Sequence, residues 1–227
     1  MYTALAEAMA DVSIDWDQCP RQDRGDGAQV LFPPEVPKER IGGPLVTALD
    51  RRVRWHNAQL EPAAVPLQLR AALHAGEVQR DPFGWAGHTL AVVGGLLGSG
   101  ELRSVVHQAD GASLALIVSG VWYEAVVRQE HAGIRADSYR EVRVSTEVFS
   151  ERGWVHVPGY RRPPVPEPAP PSPPADPPAP SAEAGGTGGP GRQQAGGISF
   201  GNVQNQAGRD IVGGIVFGNQ TVYRDGQ

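Results

Sequence analysis

Few residues of this 227-residue chain combine a reactive side chain with a suggestive spacing. Asp26, in Gly25-Asp26-Gly27 at the centre of DRGDG, stands between two strand-like runs. There it reads either as a turn residue, because a type I′ turn wants positive φ at its centre, or as an oxygen ligand for a divalent cation. His74 and Glu77 fall on LHAGEV, where one is expected to pack and the other to be solvated. Ser119 precedes Val121-Trp122-Tyr123 and is expected to cap that helix, since it has no G-x-S-x-G context and no partnered histidine in the sequence. The histidines show no HExxH-like spacing and read as structural. Cys19 is the only cysteine, which excludes an internal disulfide and a cysteine-built zinc site. Arg51-Arg52-Val53-Arg54 reads as a solvated helix face, and Arg161-Arg162 as the edge of a domain.

The elements that hold these residues follow from pattern. TALAEAMADV is a short amphipathic helix, followed by an extended stretch around residues 12–19 and then the hairpin closed by AQVLF. From Lys38 to Gln59, Ile41, Leu45, Leu49, Val53 and Trp55 recur near helical spacing and predict a helix covering a sheet. LQLRAALHAGEV predicts a strand that turns at Ala75-Gly76. HTLAVVGGLLGS is an apolar helix weakened by Gly94 and Gly95, and ELRSVVHQ continues it. SLALIV is a buried strand, VWYEAVVR a helix, and YREVRVSTEVF and GWVHVPG are closing strands of period two. This mixture of helices and strands predicts an α+β or α/β domain over residues 1–158.

Composition then changes. Residues 159–197 hold 20 of the chain's 50 Gly and Pro in 39 positions, and a disordered Pro/Gly-rich linker is expected over 159–195. Behind it, GGISFGNVQNQAGRD is answered by GGIVFGNQTVYRD, a two-copy repeat over 196–227. Neither copy can bury a face alone, so the expectation is two stacked β rungs built on Ile198, Phe200 and Asn202 and on Ile215, Phe217 and Asn219. The net charge of −5 lies wholly on residues 1–158, which gives no electrostatic reason to bind nucleic acid or an anionic membrane. No apolar run approaches the ~20 residues of a membrane span, the N-terminus lacks a secretory pattern, and a cytoplasmic location is expected.

DWDQCPRQDRGDGAQVLFPPEVPKERIGGPL, LRAALHAGEV, residues 87–97 and SLALIVSGVWYEAVVR together resemble the catalytic domain of class III adenylate/guanylate cyclases, in their divergent actinobacterial form. The resemblance covers residues 1–157 and implies a palm-like (ferredoxin-like) α+β fold, homodimers with active sites at the interface, and two metal ions held by two aspartates. Asp26 matches the second of those aspartates. The first would lie on a strand preceding the opening helix, where this sequence starts, so the domain is expected to lack its first strand unless Met1 is an internal start. The helix motif that supplies an asparagine to the ribose and an arginine to the transition state has Ala91 and Gly95 at those places, and Gln22 stands where adenylate cyclases read the base with lysine.

Losing two preorganised transition-state donors costs ~10⁴ or more in rate, since each is worth about 10²–10³. The expectation is therefore a catalytically inactive, homodimeric cyclase-like sensor or adaptor, with a nucleotide as its candidate ligand and no firm cofactor. Its tail resembles the short repeats of bacterial amyloid signalling, which implies an effector protein with a matching motif in signalling or defence. The alternative is a cyclase active with a partner subunit or an extended N-terminus, in which case Mg or Mn would be its cofactor.

Overall fold

The structure is a computed structural model that describes residues 1–23, 27–81, 84–145, 150–165 and 214–219. Its centre is a mixed seven-stranded sheet of order β1-β2-β9-β3-β6-β8-β7. The strands are β1 (Arg21–Asp23), β2 (Gly27–Leu31), β3 (Leu69–His74), β6 (Leu114–Ser119), β7 (Arg140–Ser145), β8 (Ser150–His156) and β9 (Gly214–Asn219), with a separate small hairpin of β4 (Gln79–Asp81) and β5 (Gly84–Ala86). The fold is α+β in content, as the sequence predicts.

Helices cover both faces of the sheet. One core joins α1 (Tyr2–Asp11), α3 (Val46–Ala58) and Trp122 of α6 (Gly120–Ala125) to Val30, Leu69, Ala71, Leu73, Leu114, Leu116 and Val118. The other joins α4 (His88–Leu97) and α5 (Gly100–Gln108) to Ala72, Ala115, Ile117, Val142, Val144 and Val155. β6 thus sends Leu114, Leu116 and Val118 to one core and Ala115 and Ile117 to the other. A strand buried on both faces has no need of polar alternation, which is why SLALIV reads as a continuous apolar run. β7, at the sheet edge, alternates buried Val142 and Val144 with exposed Glu141 and Arg143, and charge on an edge strand discourages further pairing.

The helix expected from Lys38 to Gln59 is interrupted. α2 (Lys38–Arg40) gives way to a π-helical turn, Ile41–Leu45, before α3 begins. Pro44 inside this turn has no N–H to donate and its ring displaces the carbonyl four residues back, so the helix widens locally. Gly42 and Gly43 permit close packing there: a Cβ on Gly43 would lie 2.9 Å from the carbonyl oxygen of Ala132. Ile41, Leu45, Leu49 and Val53 are buried as their spacing predicts, whereas Trp55 is 61% exposed and belongs to the outer face.

Three further expectations are corrected. Residues 12–19 form turns rather than an extended strand, and the first arm of the hairpin is Arg21–Asp23, paired antiparallel with Ala28–Val30. The apolar helix and its continuation are two helices, broken at Gly98-Ser99, where the Ser99 hydroxyl accepts from the Leu102 N–H and caps α5. Residues 159–163, assigned to the linker, pack on the domain: Tyr160 lies against the second core and donates to the Asp110 carbonyl at 2.9 Å, and Arg140 donates to the Pro163 carbonyl at 2.8 Å. Residues 88–108 form the one stretch among the described residues long and apolar enough by length and composition to cross a membrane. Its Val92, Val93, Leu96, Leu102, Val105 and Val106 are buried in the second core.

β9 pairs antiparallel with β2 on one side and with β3 on the other. β2 and β3 therefore run parallel to each other one strand apart, joined through α2 and α3, which makes a split β-α-β unit with β9 in its middle. Residues 214–219 of the second repeat copy, expected as part of a rung stacked on the first, are thus a strand of the domain's sheet, and the rest of that copy lies outside the described residues. The first copy, with Ile198, Phe200 and Asn202, and linker residues 166–195 lie outside the described residues.

Candidate functional site

The parallel strands β3 and β6 end side by side, with Leu73 opposite Val118. One residue further, His74 Nδ1 lies 2.8 Å from Ser119 Oγ, and both side chains are buried. The Ser119 hydroxyl also accepts from the Trp122 N–H at 3.2 Å, capping α6 as the sequence predicts. The expectation that Ser119 has no histidine partner is overturned: the two residues are 45 positions apart in sequence, and only the parallel pairing of β3 and β6 brings them together.

The chemistry of this pair is structural. Ser119 has no exposed surface, so its oxygen offers no path to a substrate. Burial lowers the His74 pKa below its usual value and nearby His88 lowers it further, which favours the neutral ring that the Ser119 hydroxyl can bond. Glu77, the other residue singled out on this strand end, is exposed, and its backbone carbonyl accepts from Thr89 Oγ1 at 2.7 Å. That bond ties the turn after β3 to the start of α4.

Of the residues carried over from the cyclase resemblance, one stands on β1, two stand on α4 and one lies beyond what the structure describes. Asp26 lies outside the described residues. Gln22 stands on β1 opposite Gln29, half-buried, and its Oε1 is buried without a hydrogen-bond partner among the described residues. Ala91 and Gly95 are one turn apart on α4, Ala91 exposed and Gly95 half-buried, while Thr89, Val92, Val93 and Leu96 form the buried face. Spacing of i and i+4 puts 91 and 95 in one stripe, and neither brings a polar side-chain atom to it. Among the described residues no group of three or more His, Cys, Asp or Glu is placed to hold a metal ion. Cys19 is buried, and burial pushes its thiol pKa up to about 11, which removes it as a nucleophile.

The basic run on α3 is not simply solvated. Arg52 donates to Asp11 through Nε at 2.9 Å and Nη2 at 2.6 Å and reaches Glu7 at 3.2 Å, while Arg51 donates to Asp11 at 2.8 Å. These guanidinium groups hold the end of α1 on α3 and pull the Asp11 pKa down to about 2. Sequence reasoning also missed Asn57, whose amide donates to the Leu67 carbonyl and accepts from the Leu67 N–H, each at 2.8 Å. That bidentate contact closes the loop from α3 to β3, and an asparagine in the last turn of a helix is the only signal that could have pointed to it.

A shallow cavity of about 320 Å³ lies beside the π-helical turn, lined by Gly42, Gly43, Arg135, Tyr139, His156 and Arg161 among others. Arg135 there is paired with Asp137 at 2.8 Å. None of the residues nominated from sequence for catalysis, metal or self-assembly lines this cavity.

Of the self-assembly residues, Ile215 stands in register with Val30 and Leu73, Phe217 with Ala28 and Ala71, and Asn219 with Leu69. The place where a nominated set meets the folded domain is therefore the strand gap between β2 and β3. No family model, curated protein or solved structure matches this chain.

Proposed function

We propose that the chain is a catalytically inactive, cyclase-like adaptor whose C-terminal repeat assembles by cross-β templating. The observation that carries this reading is the strand formed by Gly214–Asn219, which is hydrogen-bonded along both edges. A segment able to take partners on both sides of its backbone can, once released from its own domain, bind an added strand on each edge, which is what templated growth requires. The repeat of GI-x-FGN in the tail supplies a second strand of the same pattern.

The cyclase-like part of the reading is supported by the order of elements. In a ferredoxin-like β-α-β-β-α-β plan the first strand occupies the middle of the split unit. Here α1, the β1–β2 hairpin, α3 and β3 follow in the order of the remaining elements, with β9 in that middle place. The absence of catalysis is supported by Ala91 and Gly95, which offer no donor at the stripe of α4 where the resemblance requires two.

Two measurements test the reading. The purified full chain is expected to pellet on incubation and to give cross-β diffraction, and Phe200→Asp with Phe217→Asp is expected to abolish both. With Mn²⁺ and ATP or GTP it is expected to yield no cyclic nucleotide above a no-enzyme control. Turnover that disappears in Asp26→Ala would overturn the inactive assignment, and a wild-type chain that stays soluble without cross-β spacings would overturn the assembly.

A further inference from the structure

The split β-α-β unit leaves a gap one strand wide between β2 and β3, and the strand that fills it has an unusual attachment. Every other strand of the sheet lies within residues 21–156, whereas β9 is reached only after residues 157–213. A sequence separation of this length can deliver a strand to a neighbouring copy as readily as to its own.

Both edges of the gap call for a strand. β2 is buried along all five of its residues, and β3 along all but Arg70, which is half-buried. The backbone groups of Gly27–Leu31 and Leu69–His74 that face the gap bond to β9, and leaving such buried groups unpaired is costly. In register, the rows Val30–Ile215–Leu73 and Ala28–Phe217–Ala71 set the two apolar positions of the repeat opposite strand positions that are buried and apolar. The chain also carries the hexapeptide twice, as Gly197-Ile198-Ser199-Phe200-Gly201-Asn202 and as Gly214-Ile215-Val216-Phe217-Gly218-Asn219. The two copies differ at one position, Ser199 against Val216, and each domain has one gap for two such strands.

We propose that the gap between β2 and β3 is a binding site for the GI-x-FGN strand, filled in cis by the chain's own second repeat and in trans by the same repeat of a second copy, and that cis occupancy withholds the repeat from intermolecular assembly. The withholding rests on the assembly reading above, and the strand site does not. A β9 with both edges paired inside its own domain has no edge left to template another chain. Exchange between copies converts this closed state into linked chains, as in strand swapping.

Cross-linking in the full chain tests both parts. Gln29 and Ala72 are each in register with Val216, the position at which the two repeats differ and therefore the one the motif tolerates. Directly opposed strand residues lie about 4.5–5.5 Å apart at Cα, within disulfide reach. Gln29→Cys with Val216→Cys, and independently Ala72→Cys with Val216→Cys, are expected to form an intrachain disulfide under mild oxidation. Gln29→Cys with Asn219→Cys, three positions out of register, is expected to form at least tenfold less. Mixing a chain carrying only Gln29→Cys with one carrying only Val216→Cys is expected to give a disulfide-linked dimer, again at least tenfold above the Asn219→Cys control.

Failure of both in-register pairs, or equal yield from the out-of-register pair, overturns the site, and absence of the mixed dimer overturns its occupation in trans. The oxidised intrachain form is expected to pellet at least tenfold more slowly than the same protein after reduction, and equal rates overturn the withholding. A reduced chain that stays soluble while in-register disulfides form overturns the assembly reading, and with it the withholding, while the strand site stands.

Discussion

His74 and Ser119 meet at 2.8 Å across the ends of two parallel strands, and through Ser119 the same contact reaches the Trp122 N–H that opens α6. One hydroxyl therefore joins β3, β6 and α6. Ser119→Ala removes the cap and leaves His74 without this partner, at an expected cost of about 1–3 kcal/mol in urea unfolding. Ser119→Thr keeps the hydroxyl and is expected to recover part of that loss. Equal stability of Ser119→Ala and wild type would show that the contact contributes nothing.

The buried histidines give stability a pH dependence of definite sign. His74 and His156 both have pKa values lowered chiefly by burial, the latter despite the Ser138 carbonyl and Asp50, which act in the opposite direction. An unfolded chain takes up protons near the ordinary value of about 6.5, while the folded chain resists until lower pH. Stability is expected to be fully present above that value and to decline as pH falls below it toward the folded values. Urea midpoints at pH 8, 7, 6 and 5 check this, and a flat series for wild type would contradict it.

Asp11 acts in the opposite pH range. Its carboxylate is held by Arg52 and Arg51 and its pKa lies at about 2, below the ordinary 3.8, so its contribution is present above 3.8 and lost as pH falls through about 2. Asp11→Asn is expected to lower the thermal midpoint at pH 7 and to differ less from wild type by pH 2. A difference independent of pH would mean that the arginines hold α1 by packing rather than by charge.

Two glycines separate helix propensity from packing. A Cβ on Gly94 of α4 meets nothing within 4 Å, so Gly94→Ala is expected to stabilise by about 0.5–1 kcal/mol. A Cβ on Gly153 of β8 would lie 3.0 Å from Ile117 Cδ1 and 3.4 Å from Leu96 Cδ2, so Gly153→Ala is expected to destabilise by about 1–3 kcal/mol. Denaturant unfolding of the two variants decides both, and the same sign for both would show that these contacts are not what limits the positions.

Local pattern sufficed for much of the fold. The periodic apolar residues of α1, α3 and α5, the run SLALIV, the alternation in β7 and the Ser119 cap are all written in adjacent residues, because helix faces, strand faces and caps are set by spacings of two to four positions. The interruption at Ile41–Leu45 was also legible in principle, since Pro44 cannot donate the bond a regular helix needs there. What tertiary structure decided involves partners far apart in sequence. His74 finds Ser119, Arg52 finds Asp11, and Tyr160 finds the Asp110 carbonyl only through strand order and helix packing, to which no local spacing refers. The same holds for the tail. Its sequence determines that GIVFGN has the pattern of a strand, but a strand's pattern does not name its neighbours. Backbone hydrogen bonding is nearly blind to side-chain identity, and the one-strand gap between β2 and β3, a property of the split β-α-β connection, gives Gly214–Asn219 its place in the sheet.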